Sequence, residues 1–138
     1  MGGATICVTD GTIAQATAGT STPDLQQLIV GNPQLAMMDN IAYQPGRGNW
    51  LIHEDGDGPI LSPARNNDLW DCLPDGADAD LLSDGCVRVG SINDLVGDGE
   101  GGAEWTGGIF DASGTRFFVS IQHNVTGTGT ILEIDGWK

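Results

Sequence analysis

Positive charge is the scarcest property of this sequence. Nineteen Asp and Glu stand against five Lys and Arg, a formal net charge of −14 over 138 residues. Such a field repels phosphate backbones and anionic lipid, which argues against nucleic acid and membrane surfaces as partners. Long apolar runs are absent too, and nothing approaches the ~18–20 residues of a helical membrane span. The start, Met-Gly-Gly-Ala, shows neither a charged nor a long apolar leader region, so it reads as a trimmed boundary and leaves localisation unread. Three cysteines make no disulfide framework, and no Cys-x-x-Cys or Cys/His spacing suits zinc. No serine sits in a Gly-x-Ser-x-Gly elbow, which removes the commonest metal-free hydrolase design. Convincing helical periodicity is nearly missing. Residues 10–23 read as a loop or linker, and the helix-start pattern at Thr22-Pro23 gives way to a strand from Leu25.

What is present is short, β-branched and aromatic. Nine candidate strands follow: Thr5 to Thr9, Leu25 to Val30, Asn40 to Tyr43, Asn49 to His53, Asp68 to Leu73, Cys86 to Ser91, Thr106 to Phe110, Arg116 to Gln122 and Thr130 to Ile134. Gly, Asp, Asn and Pro bound each of them, and twenty-two glycines supply the turns. The chain is one all-β domain, 1–138. If the fifth and sixth strands pair, Cys72 and Cys86 meet across a 13-residue acidic loop, either bonded or as two buried thiols. Cys7 reads as a core thiol.

Two segments carry the functional signal. Residues 38–55 and 103–124 each read as a β-hairpin with a glycine turn, and each gathers its polar residues at the same two places. These are the residues before the first strand (Asp39, Asn40; Glu104, Thr106) and after the second (His53, Glu54, Asp55; Gln122, His123, Asn124). The start of strand one and the end of strand two share an edge in an antiparallel hairpin, so two clusters of carboxylate, amide and imidazole are expected on one rim of a β-fold. The hairpins align with each other at an offset of about 68 residues, longer than the ~40–50 of a compact propeller blade. Counted as four-stranded blades, the chain holds about two to two and a half, too few to close a ring. A partial β-propeller would be completed by self-association; a small sandwich or barrel is the alternative.

The run Ala103-Glu104-Trp105-Thr106-Gly107, an apolar strand, then Phe117-Phe118-Val119-Ser120-Ile121-Gln122-His123 resembles the C-terminal region of the PhoX-type alkaline phosphatase family, with Asp39-Asn40 and Asn49 to Gly56 similar to an upstream part. The likeness spans residues 35 to 135. It implies a secreted or periplasmic six-bladed propeller with calcium and iron (Fe3+) at its central mouth, acting on small phosphoesters. Asp39, Asn40 and Glu104 would be metal ligands or their neighbours, and His123 a phosphate-facing group. Family members are several times longer, their earlier blades supply a cysteine and further ligands, and the proline after Gln-His is Asn124 here.

Read from the residues themselves, Asp39, Asn40, Glu54, Asp55 and Glu104 are the candidate metal ligands, because Ca2+ takes oxygen donors. Against this, Asp-Asn is also ordinary turn chemistry, and Glu104 could be a buried carboxylate bonded to the Thr106 hydroxyl. His53, His123 and Glu104 are the candidate catalytic groups. His53-Glu54-Asp55-Gly56-Asp57-Gly58 lacks the spacing of an EF-hand loop, and Asp57 reads as a solvated turn. Arg47 and Arg116 sit by the hairpin turns, away from the clusters, whereas Arg65 lies in a loop that could reach them. Trp105 could line a pocket beside Glu104. The expected activity is metal-dependent phosphoester hydrolysis. The alternatives are a non-catalytic, metal-stabilised oligomeric propeller module and a calcium propeller hydrolase of the lactonase or phosphotriesterase kind.

Overall fold

A computed structural model describes residues 4–9, 11–56, 66–74, 83–92, 102–124 and 127–137, with Thr5 the one side chain described in the first of these stretches. Period-two alternation of apolar residues with turn-forming Gly, Asn and Pro between them produces nine strands. They are β1 (Ala4–Thr9), β2 (Asp24–Val30), β3 (Met38–Tyr43), β4 (Trp50–Glu54), β5 (Asp68–Cys72), β6 (Cys86–Ser91), β7 (Glu104–Phe110), β8 (Arg116–Gln122) and β9 (Thr130–Asp135). Each of the nine expected strands is there, with ends moved by a residue or two. The loop expected over 10–23 is corrected: it contains a helix, α1 (Ile13–Thr17), whose start is a reciprocal cap between Thr12 and Gln15. Thr-x-x-Gln is a capping-box spacing, and it outweighed the small-residue composition around it. The side chain of Cys7 lies outside the described residues.

The strands form three antiparallel sheets in the orders β1-β2, β3-β4-β5-β6 and β7-β8-β9; we label them I, II and III. Sheet II is the middle layer. Ile52, Trp70 and Cys72 on one of its faces pack with Leu28, Ile29 and Leu35 of the sheet I side. Ala42, Leu51 and Leu69 on the other face pack under Trp105, Phe110, Phe117 and Val119 of sheet III. β4 is therefore buried on both faces, and the four residues from Leu51 to Glu54 are all inaccessible. The first strands of the two larger sheets, β3 and β7, lie against each other.

The two hairpins are built alike. Tyr43 pairs with Trp50 and Phe110 with Phe117 as the last pairs before their turns, 110 against 43 and 117 against 50, so the structural offset is 67 residues. The turns touch: Gln44 donates its side-chain amide to the Gly114 carbonyl at 2.7 Å. Gly114 has φ +73°, and a Cβ there would stand 2.1 Å from the Pro45 carbonyl oxygen, so only glycine fits this contact. Latching the turns at one end fixes how the opposite ends of the hairpins meet.

Cys72 and Cys86 are paired opposite each other in β5 and β6 and are joined by a disulfide. It closes the long acidic excursion between those strands at its base. Reducing this bond should lower the unfolding free energy by about 3 kcal/mol, the chain-entropy value for a loop of about 15 residues. Urea unfolding with and without reductant, beside a Cys72→Ala/Cys86→Ala double variant, checks it. Unchanged midpoints would show the bond to be idle.

Candidate functional site

The rim opposite the turns is assembled from four strand ends. β3 carries a bulge there, its register skipping between Met38 and Asn40, so Asp39 is thrown outward and exposed. Asp55 follows β4 and is tied back by its backbone N–H to the Met37 carbonyl at 3.0 Å. Glu104 opens β7 opposite Gln122 and is 4% exposed. His123 follows β8, its Nε2 3.4 Å from Glu104 Oε1. The two non-glycine residues with positive φ among the described residues, Met37 at 55° and His123 at 54°, both stand at this rim. Backbone strain of this kind, about 1–3 kcal/mol per residue, persists only where surrounding structure enforces it.

A buried amide ties the segments beside this rim together. Asn67, 5% exposed, accepts the Gly56 N–H at 2.9 Å and donates to the Ala103 carbonyl at 3.0 Å. One side chain thus joins the segment after β4, the entry to β5 and the entry to β7. The sequence marks Asn67 only as one of several turn-type residues before a strand, so nothing in it distinguishes this role.

Glu104 is the electrostatic anomaly of the site. Burial first, then a hydrogen bond and charge from Asp55, then the charge of Asp39, push its pKa up to about 8. The Glu104–Asp55 contact is stable when a proton lies between the two carboxyls, since two bare carboxylates repel. Thr106 is not its partner, which corrects that expectation. Asn40 donates to the Asp39 carboxylate, so Asp39 and Asn40 act together at the bulge.

Asp39, Asn40, Asp55, Glu104 and His123 are brought to one rim; His53 and Glu54 are turned inward. His53 is fully buried on the Leu51 face, with its ring 6.0 Å from that of Phe117. A Cβ on Gly108 would come within 2.7 Å of its Cε1. Neither imidazole nitrogen has a hydrogen-bond partner among the described residues, and burial lowers the pKa to about 4, so the ring is neutral. Glu54, equally buried, accepts the Ala36 N–H at 2.8 Å and the Asp68 N–H at 3.1 Å. It clamps the segment before β3 to β5. Trp105 is a core side chain, 6% exposed, rather than a pocket wall. Arg47 and Arg116 pair with Asp71 and Glu133, on the turn side as expected. Asp57 and Arg65 lie outside the described residues.

The donors that reach the rim are hard oxygens with one imidazole beside them, a set suited to Ca2+. No group of three or more His, Cys, Asp or Glu already stands in a metal-gripping arrangement among the described residues. A cation would have to replace the shared proton and draw the carboxylates in. Compared with protein-family models, curated proteins and solved structures, the chain matches none of them.

Two pH effects of opposite sign follow. Glu104, raised from 4.5 to about 8, holds a proton in the fold that the unfolded chain releases, so its contribution is full below pH 4.5 and is lost as pH rises to about 8. Glu104→Gln in chelator-treated protein should therefore raise the thermal midpoint at pH 8–9 and leave it nearly unchanged at pH 4.5. An equal shift at both pH values would refute the shared proton. His53, lowered from 6.5 to about 4, loses stability as pH falls through that window. His53→Leu should stabilise the fold at pH 5 more than at pH 8, because an apolar side chain of similar volume removes two unpartnered polar atoms. Thermal melts of both variants across pH test this.

Proposed function

We propose that the rim formed by Asp39, Asn40, Asp55 and Glu104 binds calcium and that phosphoester hydrolysis is the activity it serves, on a partial β-propeller. One observation carries the reading: a nearly buried glutamate whose partners are two further acids and a histidine, gathered from the ends of four strands. A buried carboxylate needs a cation or a donor, and this one has been left a proton. The propeller reading is supported by sheets II and III, up-and-down antiparallel sheets stacked face to face with their first strands adjacent. The Glu-x-Thr-Gly and Gln-His elements supply the link to phosphatases.

Asp39, Asp55 and Glu104 would hold the ion through carboxylate oxygens, with the Asn40 carbonyl beside them. When bound, calcium would supply neutralisation of phosphoryl oxygens and a polarised water. His123 stands next to Glu104 and half exposed, the position for a proton carrier or a phosphate contact. Among the described residues the iron of the resembling family finds no thiolate at this rim: Cys72 and Cys86 are bonded together at the other end of β5. That bond belongs to an oxidising compartment, in keeping with a periplasmic or secreted protein.

A second reading, a calcium-stabilised module without catalysis, is favoured by the inward placement of His53 and Glu54. Two of the groups expected to do chemistry are occupied in packing. Calcium titration by calorimetry and thermal melts, beside hydrolysis of a phosphomonoester, a phosphotriester and a lactone, decides among these. The hydrolase reading expects calcium at a hundred times its Kd to add about 2.7 kcal/mol of stability, with EDTA reversing it, and phosphomonoester turnover lost in Glu104→Gln. Binding without turnover selects the module. No calcium binding overturns both.

A further inference from the structure

Among the described residues the stack of sheets is open at both ends, and its open faces repeat a pattern that is closed inside it. The hairpin register makes Ile109 of β7 the counterpart of Ala42 in β3, and Phe118 of β8 the counterpart of Leu51 in β4. One strand further, Leu69 lies opposite His53 while Ile131 lies opposite Ser120, so Ile131 is the counterpart of Leu69. Ala42, Leu51 and Leu69 are the face of sheet II that lies beneath sheet III, and they are 5%, 0% and 1% exposed. Their counterparts form the outer face of sheet III. There Ile109 is 68% and Ile131 78% exposed. Beside the side-chain-free Gly107 and Gly108 they border a groove of about 300 Å³. The same layer-building surface is present twice, covered once.

At the other end of the stack, sheet I turns Leu25 and Val30 outward, 64% and 48% exposed, while Ile29 of the same strand is buried against sheet II. Leu25 and Val30 at one end, with Gln27 exposed between them, and Ile109 and Ile131 at the other, beside the Arg116–Glu133 pair, give two unlike surfaces with apolar side chains for a head-to-tail contact between identical chains. We propose that the outer face of sheet III docks on the outer face of sheet I of a second copy of this chain, continuing between copies the sheet-on-sheet packing found within one. This deepens the self-completing propeller reading by naming its surfaces and rests on it. The contact is heterologous, so it propagates from copy to copy until a ring closes. Its driving force is apolar burial, opposed by the −14 formal charge each copy carries; salt screens that repulsion and should tighten the assembly.

The test is sedimentation of the full chain over protein concentration at low and high salt, with two single variants. Ile131→Glu spoils the sheet III face and Leu25→Glu the sheet I face, both at exposed positions where circular dichroism should show an unchanged fold. Wild type should sediment as multiples of 14.3 kDa, more so at high salt. Each variant alone should be monomeric. Mixed in equal amounts they should form a dimer and nothing larger, because each brings the one face the other lacks. A wild-type monomer under all conditions, or assembly indifferent to both substitutions, overturns the proposal. Calcium titration of the monomeric variants keeps it apart from the metal site: assembly without calcium binding sinks the site alone, and calcium binding without assembly sinks the docking alone.

Discussion

Everything in this fold depends on β4 being buried from both sides. A five-residue strand with Leu51 and His53 facing sheet III, and Ile52 and Glu54 facing the sheet I side, can be stable only between two layers. Phe117 is the matching element in sheet III: fully buried, it packs on Phe110, on Trp137 and on the His53 ring. With sheets II and III held by this contact, and their turns latched by Gln44 and Gly114, the ends of β3, β4, β7 and β8 have nowhere else to go. They meet at one rim. The site is a consequence of packing done elsewhere.

The acidic composition sharpens what that rim means. Four carboxylates are buried among the described residues, and three have a cation or N–H donor on at least one oxygen, although Asp68 Oδ1 is left without a partner. Glu54 takes two backbone N–H groups. Asp68 has the Arg88 guanidinium at 3.3 Å. Asp71 has the Asn49 amide at 2.7 Å and Arg47 at 3.7 Å. Glu104 alone is surrounded by acids, with one imidazole at its edge. Of the described arginines, Arg88 pairs with Asp68, Arg47 with Asp71 and Arg116 with Glu133. Burial and the neighbouring acids instead hold the Glu104 carboxyl above the usual carboxylate range.

Much of this was legible in the residues. Strand existence followed from β-branched and aromatic runs between turn residues, and the meeting of polar groups at a rim followed from hairpin geometry alone. The inward direction of His53 was also readable. Two residues after Leu51 on a strand is the same face as Leu51, and two after Ile52 is the same face as Ile52. Had both faces of β4 been taken as core, His53 and Glu54 would have followed as buried side chains. What hid them is that end-of-strand histidines and glutamates resemble ligands, and that double burial depends on a third sheet remote in sequence. Asn67 was illegible for the same reason, since its two bonds reach segments 11 and 36 residues away. The helix Ile13–Thr17 was missed because a capping box is a two-residue signal inside a run of Ala, Gly and Thr that composition assigns to a loop.

Calcium takes six to eight oxygens, a number that three carboxylates and one amide reach when most of the carboxylates bind through both oxygens. The sheet stack ends in apolar faces whose counterparts inside the chain are sealed. In a stack that curves into a ring, the first strand of each sheet faces the centre, and the strand ends beside it form a common mouth. β3 and β7 lie against each other, and Asp39 and Glu104 lie near their starts. Continuing the stack would cover Ile109 and Ile131 and, by the same movement, bring further acidic strand ends toward the first. In the proposed stack, a cation held at each rim would offset part of the repulsion among copies.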